Sequence, residues 1–199
     1  MADRGWYRPH HLPHRDEAEL VQAITFHLKD SLPLAALRGA LPHAGNEGSE
    51  RARIQRALDQ GWGNCLLADP RAAAIVEDAL MFGDAWRYVL LAWVVMPNHV
   101  HAVIQTLHGW ALERVMRDWK GYTALQINAL LEQEGSLWRR EYFDRYVRDA
   151  RHLGDAIRYL HNNPVKAGLV QTPQQWRYSS AWRVEDISAP YHLPYVAQE

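Results

Sequence analysis

A pair of apolar segments joined by a short turn constrains the fold of this chain more than any other feature. Residues 87–96 are β-prone and apolar on both faces, which is typical of a central strand of a sheet. Pro97 and Asn98 interrupt the run, and a second β-prone segment follows over residues 99–105. Because proline and asparagine favour turns, the two segments are predicted to form a β-hairpin.

One further strand and four helices are predicted around this hairpin. Residues 22–28 alternate between apolar and polar side chains, as in a half-buried strand. Asp69 and Pro70 supply a helix N-cap followed by proline at the first helical position. Helices are predicted over residues 50–60, 70–82, 111–134 and 153–162. The order of these elements predicts an α+β fold in which an antiparallel sheet is covered by helices on one face.

The length of 199 residues predicts a single domain spanning residues 1–199. Within it, residues 34–62 lack the regular patterns of the rest and are interpreted as an insertion of modest structure. Residues 135–183 form a basic, aromatic-rich C-terminal part, with nine basic residues against four acidic ones. Such a mixture can contact the phosphates and stack on the unpaired bases of single-stranded nucleic acid.

The cysteine content and the length of the apolar runs bear on the compartment. Cys65 is the single cysteine, so an intrachain disulfide is excluded and a reducing cytoplasm is expected. The longest apolar run, over residues 88–96, is far shorter than the roughly 20 residues of a membrane-spanning helix. We therefore expect no membrane contact.

Two histidines at the start of the second hairpin strand are the first candidates for chemistry. In the segment Asn98-His99-Val100-His101, the two histidine side chains project from the same face of a strand, with Cα atoms about 6–7 Å apart. Both imidazoles can therefore reach one metal ion. The spacing alone leaves open that either histidine is a structural core residue.

A second candidate is the segment Tyr159-Leu160-His161-Asn162-Asn163-Pro164. On a helix, Tyr159 and Asn163 share a face because they lie four positions apart. Pro164 opposes this arrangement, since the residue before a proline is disfavoured in helical conformation. Taken alone, a helical tyrosine is more often a packing residue and an asparagine before proline more often a turn residue.

Several short motifs in a fixed order resemble those of the REP-associated tyrosine transposases, which belong to the HUH group of single-tyrosine nucleases. The matching segments are AWVVMPNHVH at 92–101, WK at 119–120, LWRREYFDR at 137–145, VRD at 147–149, YLHNNPVKAGL at 159–169 and WRYSSA at 176–181. The resemblance is strong over about residues 85–183, and residues 34–62 carry no matching motif.

This resemblance implies a ferredoxin-like antiparallel sheet of the HUH type. It implies that His99 and His101 bind a divalent metal, Mg²⁺ or Mn²⁺, and that Asn163 is the third ligand. It assigns Tyr159 as the nucleophile that forms a 5′-phosphotyrosine intermediate with DNA. The implied partner is single-stranded DNA bearing a REP-like hairpin, which is cleaved near its foot and passed on by strand transfer. The same resemblance suggests a cytoplasmic, nucleoid-associated bacterial protein, acting either as a monomer or as a homodimer that shares active sites.

The residues leave several alternatives beside this interpretation. The candidate DNA contacts are Lys120, Arg139, Arg140, Arg145 and Arg148. The rival nucleophiles are Tyr122, Tyr142, Tyr146 and Tyr178. The rival functions are a non-catalytic DNA-hairpin-binding protein or regulator on the same fold, a metal-dependent hydrolase of small phosphoesters, and a non-catalytic core with an accidental histidine pair.

Overall fold

The fold is taken from a computed structural model, which describes residues 5–7, 14–16, 19–32 and 47–183. The strands are β1 (Gly5–Tyr7), β2 (His14–Asp16), β3 (Val21–His27), β4 (Tyr88–Val95), β5 (His99–Thr106) and β6 (Phe143–Tyr146). The α-helices are α1 (Glu47–Asp59), α2 (Pro70–Phe82), α3 (Leu112–Leu130), α4 (Ala150–His161) and α5 (Asn163–Lys166). Short 3₁₀ turns lie at Leu66–Ala68, Pro173–Gln175 and Ser180–Arg183.

The main sheet has four strands in the order β4-β5-β3-β6, and β1 pairs separately with β2. Every neighbouring pair in the main sheet is antiparallel. Along the chain, the elements that build this sheet read β3, α2, β4, β5, α3, β6, which is the split βαβ arrangement of a ferredoxin-like fold. The predicted hairpin and the predicted ferredoxin-like sheet are both confirmed.

Helices cover both faces of the sheet, and this differs from the one-face prediction. On one face, α2 and α3 pack against a core that includes Phe26 and Ile104. On the other face, α4 packs through Ile157 and Leu160 against apolar residues of β4 and β5. Because β5 is central and fully buried, its odd and even residues each need an apolar layer, and a single helical layer satisfies one of them.

Several boundaries differ from the sequence prediction for identifiable reasons. The helix predicted to reach residue 134 ends at Leu130, where Glu132 takes a positive φ of 51° and the backbone turns away. Helix α4 begins three residues earlier than predicted because the Asp149 side chain accepts a hydrogen bond from the backbone N–H of His152. Strand β6 was not predicted. It pairs with β3 at the edge of the sheet.

The structure describes residues 47–62 of the segment 34–62, which the sequence analysis interpreted as an insertion of modest structure. Residues 47–59 form α1, close to the helix predicted over 50–60. The rest of that segment before α1 lies outside the described residues. In the part of the chain that the structure describes, none of the helices combines the length and the apolar character that crossing a membrane requires.

Candidate functional site

The histidine pair lies on the face of the sheet that α4 covers. His99 and His101 alternate along β5 with Val100 and Ala102, which point into the opposite core. The two imidazole centroids are 4.8 Å apart, and both side chains are almost wholly buried. The structure therefore brings the two histidines together as their spacing predicted.

Hydrogen bonds from neighbouring residues fix which nitrogen of each imidazole faces the site. Asn98 donates from Nδ2 to the carbonyl oxygens of Leu58 and Trp62, so its Oδ1 is left to accept from His99 Nδ1 at 2.7 Å. His101 Nδ1 lies 2.7 Å from Thr25 Oγ1. With each Nδ1 engaged, the Nε2 atoms of both rings face the site, as metal-ligating histidines require.

Burial keeps both imidazoles in the neutral form that can bind a metal. Desolvation, together with the neighbouring His101 ring, holds the pKa of His99 well below its usual range. Desolvation, and then the positive charge of Lys166, lowers the pKa of His101 to about 3. At neutral pH each ring therefore has one unprotonated nitrogen, and in His99 the hydrogen bond to Asn98 places it on Nε2.

Tyr159 approaches the histidine pair from α4. Its ring centroid lies 6.5 Å from that of His101, and 43% of the residue is exposed, so the phenol is reachable from solvent. The ammonium of Lys166 lies 3.9 Å from the centroid of the Tyr159 ring. Partial burial, and secondarily the negative charge of Asp59, raises the pKa of Tyr159 to about 12. The phenol is therefore protonated at neutral pH.

Asn163 begins the short helix α5, directly after α4, so the chain stays helical up to Pro164 despite the usual restriction before proline. Proline is tolerated here because it occupies the first turn of the new helix. The Asn163 amide is fully buried, and neither its Oδ1 nor its Nδ2 has a hydrogen-bond partner. An unpartnered buried amide costs free energy unless something binds it, so Asn163 fits the role of an oxygen ligand.

Helix α1 contributes two side chains that the sequence analysis missed. Gln55 Nε2 lies 3.1 Å from His101 Nε2 and 3.5 Å from His99 Nε2. It also donates to Asp59 Oδ1 at 2.8 Å, and that carboxylate oxygen is 3.9 Å from His99 Nε2. Gln55 and Asp59 lie four positions apart on one helix face, and this spacing was the available signal for them. Nothing in the sequence indicated that α1 faces the histidines.

A cavity of about 430 Å³ opens beside the site. It is lined by residues of three strands and two helices, among them Gln55, His101, Arg145, Asp155 and Tyr159. Since the strand side chains alternate, Arg145 shares the face of the sheet that carries His101. The cavity therefore presents a tyrosine, one histidine of the pair and an arginine on one surface.

The five candidate DNA contacts fall into different environments. Arg140, Arg145 and Arg148 are exposed, and Arg139 is half-buried. Lys120 is half-buried and donates from Nζ to the backbone carbonyls of Arg139, at 2.5 Å, and of Arg140, at 2.7 Å. Burial lowers the pKa of Lys120 to about 8. Lys120 therefore ties α3 to the segment before β6, whereas three of the arginines are available to an anionic partner.

The rival tyrosines lie away from the histidine pair. Tyr122 belongs to α3, on the opposite face of the sheet, and Tyr178 packs against the core on that same face. Tyr142 is buried and stacks on the ring of His14. Tyr146 follows Arg145 on β6 and so points to the other face. Among these tyrosines, Tyr159 is the one beside the histidines.

The sequence of this chain is similar to known transposases. Residues 72–163 match the family model described as "Transposase IS200 like". A "Putative REP-associated tyrosine transposase" of Haemophilus influenzae is 35% identical over 119 residues, which cover 53% of this chain and 65% of that protein. A "REP-associated tyrosine transposase" of Escherichia coli is 24% identical over 94 residues, which cover 46% of this chain and 53% of that protein. The chain thus spans less than two thirds of the length of these relatives.

The fold is also that of a solved structure, a REP-associated tyrosine transposase bound to a REP hairpin. The two superimpose with a TM-score of 0.59 over 95% of this chain and 92% of the other, at 15% sequence identity. At this level of identity the match establishes a shared fold. The arrangement of sheet and helices described above is therefore one on which a hairpin-bound transposase is built.

Proposed function

This chain is related to the REP-associated tyrosine transposases and contains the IS200-like transposase segment, and we propose that it cuts and rejoins single-stranded DNA through Tyr159. The reaction depends on a divalent metal, Mg²⁺ or Mn²⁺, held by His99, His101 and Asn163. The substrate is a DNA strand carrying a hairpin, like the REP hairpin bound by the solved transposase of the same fold.

The observation that carries this proposal is the meeting of Tyr159 with two neutral, buried imidazoles. The ring of His101 is 6.5 Å from that of Tyr159, and 4.8 Å from that of His99. A gap of this size between a phenol and a metal-binding pair accommodates a phosphate group that both can touch. The unpartnered amide of Asn163, on the same stretch of helical chain as Tyr159, supports a third ligand.

In the proposed cleavage, the Oη of Tyr159 attacks the scissile phosphorus and forms a new P–O bond. The bond from phosphorus to the 3′-oxygen breaks. Tyr159 loses one proton and the 3′-oxygen takes up one proton, so the step is balanced. The products are a 5′-phosphotyrosyl linkage and a free 3′-hydroxyl, and the reverse attack by a 3′-hydroxyl gives strand transfer without loss of the phosphoester bond energy.

The proton of Tyr159 is the main obstacle. With a pKa raised to about 12 by burial and by the negative charge of Asp59, the phenol is a weak nucleophile at neutral pH. A metal bound at this site supplies positive charge that polarises the phosphate and offsets the developing negative charge. Lys166, with its ammonium 3.9 Å from the centre of the tyrosine ring, adds a second positive charge on the same side.

The DNA strand is proposed to lie along the cavity between β6 and α4. Arg145 lines that cavity, and Arg140 and Arg148 are exposed on the flanking segments. Arginine forks bind phosphate oxygens in pairs, so these side chains are suited to hold a backbone rather than to read bases.

The proposal is tested by incubating the protein and Mn²⁺ with a labelled single-stranded hairpin taken from DNA next to its own gene. A covalent protein–DNA band on a denaturing gel is expected, and it should need Mn²⁺, Tyr159 and His99. Tyr159→Phe is the matched variant for the nucleophile, because it removes only the hydroxyl. His99→Ala removes one metal ligand.

Each alternative gives a different result in the same assay. Cleavage that survives Tyr159→Phe would overturn the nucleophile and favour hydrolysis by a metal-bound water. Hairpin binding with no cleavage under any metal would favour a DNA-binding regulator on this fold. Cleavage that is unchanged in a His99→Ala, His101→Ala double variant would show that the histidine pair is structural.

A further inference from the structure

Helix α1 lies outside the segment of the chain that matches the transposase family model, residues 72–163, yet it touches the histidine pair. Its contact is made by Gln55 and Asp59, through the distances of 3.1 Å from Gln55 Nε2 to His101 Nε2 and 3.9 Å from Asp59 Oδ1 to His99 Nε2. The histidine pair is therefore contacted by residues outside the segment that matches the family model.

The backbone around Asp59 is fastened to the residue that precedes His99. Asn98 Nδ2 donates to the carbonyl of Leu58 at 3.1 Å and to the carbonyl of Trp62 at 3.0 Å. Leu58 comes immediately before Asp59 and Trp62 three residues after it, and Leu58 itself is buried. One amide thus orients the His99 ring and anchors the end of α1 beside it. These two hydrogen bonds hold the backbone on either side of Asp59, and so they keep its carboxylate beside the histidine pair.

The separation of the two groups suits ligands of a common ion. With bonds of about 2.1 Å, two ligands of an octahedral Mg²⁺ or Mn²⁺ ion lie about 3 Å apart when they are adjacent and about 4.2 Å apart when they are opposite. The distance from Asp59 Oδ1 to His99 Nε2, 3.9 Å, lies between these two values, so a small rotation of the Asp59 side chain brings its oxygen to a ligand position. Three acidic, imidazole or thiol side chains do not converge on one point in the described part of the chain, so Asp59 has to turn about its side-chain bonds to complete the coordination.

The charge of the other ligands is a second reason to place Asp59 at the metal. The ligands carried over from the family, two neutral imidazoles and the Asn163 amide, bear no negative charge, whereas Mg²⁺ and Mn²⁺ favour carboxylate oxygens. Gln55 holds the Asp59 carboxylate by donating to Oδ1 at 2.8 Å, in the way that ligating carboxylates are commonly held by a hydrogen bond. Its second N–H reaches His101, and a bound metal would replace that contact while the bond to Asp59 stays.

We propose that Asp59 is the anionic ligand of the metal, and that Gln55 positions its carboxylate. This inference rests on the proposed metal-dependent function, because it assigns a further ligand to the same ion. Helix α1 then supplies a ligand to the catalytic centre.

The test is a calorimetric titration of the protein with Mn²⁺ in the absence of DNA. Asp59→Asn keeps the size of the side chain and removes its charge, and it is expected to weaken Mn²⁺ binding by about tenfold or more. Asp155→Asn is the matched control, since Asp155 lines the cavity beside the histidine pair but its carboxylate pairs with Arg158. This control is expected to bind Mn²⁺ as the unchanged protein does. A crystal structure with Mn²⁺ should show an Asp59 oxygen within about 2.0–2.6 Å of the ion.

The outcomes separate this inference from the proposed function. If Mn²⁺ binds and His99→Ala abolishes binding, but Asp59→Asn binds as the unchanged protein does, Asp59 is not a ligand and the histidine site stands without it. If Asp155→Asn weakens binding as much as Asp59→Asn, the cavity acts only through its overall charge and the inference is overturned. If the unchanged protein does not bind Mn²⁺ at its histidines, the proposed function itself fails.

Discussion

Asn98 Oδ1 lies 2.7 Å from His99 Nδ1, and the same amide donates through Nδ2 to two carbonyl oxygens of the chain around the end of α1. Since both N–H groups of Asn98 are engaged, its oxygen can only accept, and His99 must carry its proton on Nδ1. One buried amide thus sets the tautomer of a proposed metal ligand and fastens the end of α1 to the sheet.

We predict that Asn98→Ala lowers both the stability of the fold and the affinity for the metal. It leaves His99 Nδ1 and the carbonyl groups of Leu58 and Trp62 without this partner, and the free energy of unfolding should fall by about 1–3 kcal/mol. Loss of the bond that orients His99 should also reduce Mn²⁺ affinity by about 10–100-fold. Chemical denaturation and metal titration measure the two effects. Asn98→Asp, which cannot donate to the carbonyls but still accepts from His99, should lose stability while it retains more of the metal affinity than the alanine variant.

A second prediction concerns acid. Burial lowers the pKa values of His27 and His161 to about 4 from the ordinary value of 6.5. Above pH 6.5 both residues are neutral in the folded and the unfolded chain, and their packing contributes fully. As the pH falls from 6.5 towards 4, the unfolded chain takes up protons that the folded chain does not, so stability decreases by about 1.4 kcal/mol per pH unit for each histidine.

The variant that checks this prediction is His161→Gln. Its amide can still bond to Ser180 Oγ, which lies 2.7 Å from His161 Nε2, but it does not titrate. Urea unfolding at several pH values between 4 and 7 should show a shallower fall in stability for this variant than for the unchanged protein. Parallel curves for the two proteins would contradict the prediction.

A third prediction separates Lys120 from Arg145, which the sequence grouped together as DNA contacts. Lys120→Met removes two charge-assisted hydrogen bonds to backbone carbonyls, one part-buried and one exposed, and should lower the free energy of unfolding by about 1–3 kcal/mol. Arg145→Ala should leave the melting temperature unchanged, weaken binding to the hairpin, and reduce the slope of log affinity against log salt by about 1. Thermal melting and binding measured at several salt concentrations distinguish the two. Equal losses of affinity without loss of stability would show that Lys120 contacts DNA directly.

The sequence predicts much of the fold because its signals are local. The hairpin follows from the turn at Pro97 and Asn98, and α2 from its Asp69 cap, which accepts a hydrogen bond from the N–H of Arg71. Strand β6 escaped because its four residues, Phe143–Tyr146, mix aromatic, acidic and basic side chains, and what makes them a strand is their pairing with β3. Pairing over more than a hundred residues of sequence leaves no local trace.

The residues of the site show the same difference between local signals and contacts formed by distant parts of the chain. The two histidines are neighbours on one strand, and Tyr159 was found through the family motif that contains it. Gln55 and Asp59 reach the histidines across 40 or more residues of chain, through the docking of α1 onto the sheet, and a helix pattern does not reveal what the helix packs against. The roles of His99, His101 and Asn163 as metal ligands and of Tyr159 as the nucleophile stay predictions.

The last prediction follows from the acidity of Tyr159. Burial and the nearby carboxylate of Asp59 raise the pKa of this phenol to about 12, so at neutral pH a very small fraction is the phenolate that attacks phosphorus. While the pH stays below the pKa, the phenolate fraction rises tenfold for each unit by which the pH increases. We therefore expect the single-turnover rate of hairpin cleavage, with saturating Mn²⁺ and DNA, to increase with pH between 6.5 and about 9.

Replacing Tyr159 with a fluorinated tyrosine tests the cause of this dependence. Ring fluorination lowers the pKa of the phenol with little change in its size, so the rise should move to lower pH in the substituted protein. Hairpin affinity measured at the same pH values shows whether binding is constant across the series. A pH profile that does not move on fluorination would mean that loss of the Tyr159 proton does not limit cleavage, and that the rate is set by an earlier step such as opening of the DNA at the foot of the hairpin.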